Sequence, residues 1–255
     1  MSRGNPPASE AGRTGPAMAV SATASDPPPR ATKITVAVLG LLVAFAGIEH
    51  GVGEIMQGPV APESRVIESW RDVYAFDQLG GEPALTIIPN LLITGIMAIG
   101  VSVAIAVWSV WFADRRHGGL VLIGLSIVLL LVGGGFGPPL IGVLVGITAI
   151  GMGRPPTRAV TPASRLLSRL YPWPLVVTVL GFLALASGTV LLRHFVGVDE
   201  ALLVIVLIVT AFASLLLALV TARARDRRPE STGPPAETPG RCAPVRTSQS
   251  DTTTG

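Results

Sequence analysis

The run ITVAVLGLLVAFAGIEHGVGEIM, residues 34 to 56, decides the fold. From Ile34 to Ile48 it has no charged side chain. At 1.5 Å per residue, the 23-residue helix it predicts is roughly 34 Å long, enough to cross a ~30 Å hydrocarbon core. Its far end breaks the pattern, because Glu49, His50 and Glu54 fall within six residues of one another. Ionisable groups at membrane depth are costly, so their first reading is functional.

Composition agrees with a membrane chain. Of 255 residues, 49% are hydrophobic and only 14% charged, against roughly 25% in soluble domains. Mean hydropathy is +0.61. Lys33 is the only lysine, and the excess of Arg, Ala, Gly, Pro and Val points to a GC-rich bacterial coding bias. Cys242 is the only cysteine, so an internal disulfide or a cysteine metal cluster is excluded.

Further apolar runs lie outward from the first. The expected fold is an all-α, polytopic helical bundle of six transmembrane helices, at about 34–56, 85–112, 118–133, 138–153, 173–192 and 201–221. Pro89 is expected to kink the second span. Trp108, Trp111 and Phe112 mark its interfacial end. The third and fourth runs are short and flank Gly133–Pro139. They read as a tight hairpin, with a re-entrant loop as the alternative. In the 57–84 loop, Val66, Ile67, Trp70, Val73 and Tyr74 recur at helical spacing, which predicts a short amphipathic helix. Residues 164–171 predict another, with Leu166, Leu167 and Leu170 opposite Arg165 and Arg169. The ends, 1–33 and 222–255, are Pro-rich and polar and read as disordered tails. No cleavable signal peptide is expected before the first span.

Charge sets the threading. With both termini in the cytoplasm, sixteen of the nineteen Lys and Arg residues fall inside. Only Arg65, Arg71 and Arg193 fall outside. This follows the positive-inside rule and places the protein in a bacterial cytoplasmic membrane. It also accounts for the pI near 9.7. No nucleic-acid motif accompanies the arginines, so nucleic acid is not expected as a partner.

Six residues form the candidate site: Glu49, His50, Glu54, Glu82, Asn90 and Thr94. His50 and Glu54 are four apart and share a helix face. Thr86, Asn90 and Thr94 form a polar stripe at the outer end of the second span. The glycine turn is expected at the same level, so these pieces converge in an outward-facing pocket. The order Glu-His-x-x-x-Glu matches neither His-Glu-x-x-His nor Glu-x-x-His. A metal, if present, would use His50, Glu54 and Glu49, which is short of strong evidence for zinc. No haem, phosphate-loop or nucleophile-elbow pattern occurs, and no cofactor is expected. Gly47 and Gly51 allow close approach of another helix, within the chain or in a homo- or hetero-oligomer.

Two functions are consistent with these features. One is a structural or accessory subunit, in which the polar groups fix helix register. The other is a small transporter or channel for a proton, cation or small solute, working through the Glu/His cluster. An inverted repeat between spans one to three and four to six is not found, which weakens transport. Enzymatic chemistry ranks last, because no substrate pocket is legible. The lipid bilayer is the one partner the sequence requires.

Overall fold

A computed structural model describes residues 30–71, 81–150, 152, 162–185 and 201–227. Among them are seven α-helices: α1 (Ala31–Gln57), α2 (Leu91–Trp111), α3 (Gly118–Leu131), α4 (Gly137–Ala149), α5 (Pro162–Leu170), α6 (Trp173–Leu183) and α7 (Ala201–Asp226). Two short strands, β1 (Val66–Glu68) and β2 (Pro83–Leu85), pair antiparallel between α1 and α2. The described residues are mostly helical.

Three helices are long and apolar enough to cross a membrane: Ala31–Gln57, Leu91–Trp111 and Val204–Asp226. A fourth span results if α5 and α6, bent by 46°, are taken together. The helices α3 and α4, with 14 and 13 residues, reach only about 20 Å each.

An apolar core that includes Leu39, Ile105, Leu122, Leu129 and Leu215 is interspersed with small polar residues. Small polar side chains face inward, among them Thr35, Ser102, Ser109, Ser126, Thr178 and Ser214. Large apolar ones face outward, including Leu41, Ile96, Trp111, Leu140, Leu180 and Val209. That pattern suits a lipid environment, where interior packing relies on small residues and interhelical hydrogen bonds. Between α1 and α2, Gly40 faces Ser109, Gly47 faces Ser102 and Gly51 meets the Gly95 backbone. The two helices therefore run antiparallel at close range, and the Gly47/Gly51 face is occupied within the chain. In the same way α3 and α4 form a hairpin, with Gly119 against Gly146 and Ser126 against Gly142. Thr178 of α6 hydrogen-bonds Ser214 of α7 at 3.0 Å.

One end of the bundle gathers charged groups. The Asp226 carboxylate at the end of α7 accepts from the Ala31 and Thr32 N–H groups at 2.7 and 3.0 Å. It thus caps α1 from another helix, where an anion suits the helix dipole. Lys33 bonds Asp114 at 2.8 Å, and that bond holds the Asp114 carboxyl below its usual range. Arg223 donates to the Ile147 and Thr148 carbonyls at the end of α4.

The other end is closed by the strands. Beyond β2, Thr86 pairs with Val132, Gly133 N–H donates to Leu85 O, and Ile87 N–H donates to Leu131 O. The α3–α4 turn is thereby stitched to the β1–β2 hairpin.

Several expectations change here. Residues 66–68 form a strand and 69–71 a turn, so the amphipathic helix predicted from Val66 to Tyr74 is absent up to Arg71; its remainder lies outside the described residues. The ladder partners, distant in sequence, outweigh local periodicity. The second span begins at Leu91 rather than Leu85, with Asn90 as its N-cap, so Pro89 precedes the helix instead of kinking it. The last helix runs five residues past Thr221 to Asp226, because Arg223 and Arg225 suit a helix C-terminus. The predicted C-terminal tail from 222 is therefore helical at its start. The first helix likewise begins at Ala31, inside the predicted N-terminal tail. A helix at Pro162–Leu170 matches the expected one. Residues 1–29, 186–200 and 228–255 lie outside the description, including most of both tails and the end of the fifth expected span.

Candidate functional site

The last two turns of α1 present Glu49, His50 and Glu54. The loop between α1 and α2 folds back over them. Its 69–71 turn brings Ser69 and Trp70 down, held by Ser69 N–H to Glu82 O at 3.2 Å and Trp70 N–H to Gly81 O at 3.0 Å. Gln57 at the end of α1 donates to the Glu68 and Ser69 carbonyls, both at 2.9 Å. The α3–α4 turn closes the third side. Gly133 and Gly135 have φ of +90° and +75°. A Cβ at Gly133 would collide with the Glu54 carboxyl, and one at Gly135 with the His50 ring. Only glycine gives both the backbone conformation and the clearance.

The side chains form a continuous polar chain. His50 Nδ1 lies 2.9 Å from Ser69 Oγ. Ser69 Oγ donates to Glu54 Oε1 at 3.4 Å. With that hydroxyl proton committed to Glu54, the 2.9 Å contact assigns the Nδ1–H tautomer to His50, donating to Ser69. His50 Nε2 then faces Glu82 Oε2 at 3.5 Å. The Glu82 and Glu49 carboxyls lie close together, and Glu49 is turned toward the Trp70 indole.

Two buried carboxyl groups held close together cannot both ionise without cost. Burial first, then the Glu49 charge, push the Glu82 carboxyl up to about 8. Glu82 also adopts φ 53°, a left-handed conformation that few non-glycine residues take. Strained backbone of this kind clusters at functional sites. Glu54 is fully buried, and its Oε2 carries no hydrogen bond; Glu82 Oε2 carries none either.

The expected residues therefore separate. Glu49, His50, Glu54 and Glu82 converge. Thr94 reaches the edge of the cluster: the Cβ that would strike Glu54 from Gly133 would also strike Thr94, and the Thr94 hydroxyl pairs with Thr86 at 3.0 Å. Asn90 stays out, because its side chain accepts from Ile93 N–H as the α2 cap. Among the described residues no three of the His, Cys, Asp and Glu side chains are arranged to hold a metal ion. Glu49 turns toward Trp70 and Glu82 while Glu54 turns toward Ser69, which splits the ligand set considered from sequence. Ser69 and Trp70 were not foreseen, because both lie in the stretch read as a surface helix.

Beside the cluster is a cavity of about 300 Å³ bounded by α1, α4, α6 and α7. Glu49, His50 and Glu82 form its polar end, and the other walls are apolar. No family model, no curated protein and no solved structure matches the chain.

Proposed function

We propose that the protein is a six-span protein of the bacterial cytoplasmic membrane, with both termini cytoplasmic, that holds and relays a proton near the outer face. The threading is supported by the single end at which Ala31, Asp114, Thr148 and Asp226 lie, all of them inside by the charge rule. Reporter fusions after Arg116 and Arg169 should report cytoplasm, and one at Gly58 the outer side. An outer signal after Arg169 would overturn the threading.

The observation carrying the proton reading is the unbroken sequence Glu49–Glu82–His50–Ser69–Glu54. Protonated Glu82 gives its proton to His50 Nε2. The ring releases the Nδ1 proton to Ser69 Oγ, and Ser69 passes its own proton to Glu54 Oε1. One proton leaves Glu82 and one arrives at Glu54, with His50 and Ser69 restored to neutrality. The 3.4 and 3.5 Å steps are long and must tighten for transfer.

A second reading, that of an accessory subunit whose polar groups only fasten the outer cap, draws on the three elements the cluster ties together. The Glu54 Oε2 atom, buried without a hydrogen bond, counts against it, since buried polar groups kept for structure are normally satisfied. Proteoliposomes decide between them. Proton flux above that of empty liposomes, lost in Ser69→Ala with the fold intact, supports the relay. Flux equal to that of empty liposomes leaves the fastening role.

A further inference from the structure

The cavity beside the cluster has features the relay does not use. Four of the chain's seven phenylalanines line it: Phe45, Phe136, Phe182 and Phe212. Phe182 and Phe212 meet edge to face, with centroids 5.8 Å apart. Phe45 and Phe136 are half exposed, so the cavity's aromatic lining reaches the surface of the described residues.

Its charge is one-sided. The titratable groups at the polar end are Glu49 and His50 on α1 and Glu82 before β2, with Glu54 one step behind them through Ser69; among the described residues α2 brings none to the lining. Among the described residues no lysine or arginine lines the cavity. Carboxyl groups at one end and aromatic side chains along the walls suit a desolvated cation. A volume near 300 Å³ is at the lower limit of small-molecule pockets, roughly 300–1,000 Å³, and suits one ring with a compact head rather than an acyl chain.

We propose that this cavity binds a small lipophilic monocation, with its charged head at Glu49 and Glu82 and its apolar body among the phenylalanines, in exchange for the proton the two carboxyls share. The inference rests on the proton-binding reading of the same carboxyls. The exchange balances: one cation enters, one proton leaves to solvent, and the charge at the polar end is unchanged. No bond other than O–H is broken.

The probe is benzyltrimethylammonium, a permanent cation, with neopentylbenzene as its neutral isostere. Full-length protein in mild detergent is titrated calorimetrically at neutral pH, and proton release is followed in weak buffer. The cation should bind and the isostere should not compete. Close to one proton should be released per cation, falling toward none as the pH passes about 8. Glu82→Gln should weaken binding at least about tenfold. Phe212→Leu keeps every carboxyl and should weaken it about threefold or more. Melting curves confirm that each variant is folded.

Absence of binding, equal binding of the isostere, or unchanged affinity in both variants overturns the proposal. An acid–base titration of the unliganded protein separates the two readings. If protons titrate near pH 8 and about one fewer does so in Glu82→Gln while the cation does not bind, only the cation inference falls. If none titrates there, the proton-binding reading falls with it.

Discussion

Replacing Gly133 with alanine tests the closure of the site through one methyl group. Gly133 has φ +90°, where an L side chain is strained by about 1–2 kcal/mol. Its Cβ would also run into both oxygens of the Glu54 carboxyl and into the Thr94 methyl. Glu54 is fully buried and cannot swing out to water. Overpacking of this kind adds about 1–3 kcal/mol. The sum is a loss of about 2–5 kcal/mol. Gly124, inside α3, is the control: a Cβ there meets nothing within 4 Å, and alanine in a helix should gain about 1 kcal/mol. The assay is unfolding by SDS titrated into mild-detergent micelles, read by tryptophan fluorescence. Gly124→Ala should move the midpoint up and Gly133→Ala should move it well down. A Gly133→Ala protein as stable as the parent would refute the contact between the α3–α4 turn and Glu54, and with it the enclosure of the cluster.

Three other outcomes follow from the same structure. Asp226→Ala removes the cap on α1 and should lower stability by about 1 kcal/mol, while Asp226→Asn should retain most of it, both read by the SDS midpoint. Glu82 binds its proton more tightly folded than unfolded, so its contribution is complete below about 4.5 and is lost as pH rises through about 8. Melting temperature should therefore fall across that window, and the fall should be smaller in Glu82→Gln; identical profiles would contradict the burial of that proton. Ser69→Ala deletes the bridge between His50 and Glu54, leaves Glu54 Oε1 without its donor, and should lower the melting temperature as well as abolish flux.

The helices were the legible part of the fold because lipid-length apolar runs are local signals. Residues 34–56 lie within α1, and the Gly133–Pro139 break lies at the α3–α4 turn. Misreadings occurred where a distant partner or a cap decides. Val66–Glu68 carries helical spacing, yet it pairs with Pro83–Leu85, and that sheet is extended by Thr86 to Val132. Asn90 before Leu91 is a helix-start signal, and the mostly apolar Leu85–Ile88 stretch obscured it. In the site, Glu49, His50, Glu54 and Glu82 were legible as ionisable groups among apolar ones. Ser69 was not, because a serine in a polar loop carries no sign of the carboxyl and imidazole it will bridge.

The central claim is that Glu49 and Glu82 hold one proton between them at neutral pH. Infrared spectroscopy of the protein in detergent reads this directly, since a protonated carboxyl has a C=O stretch distinct from the carboxylate bands. A buried carboxylic-acid band should be present at pH 7, shift with the carboxyl environment in Glu49→Gln, lose intensity in Glu82→Gln, and weaken as pH passes about 8. A spectrum at pH 7 with carboxylate bands alone, and unchanged in Glu82→Gln, would contradict it.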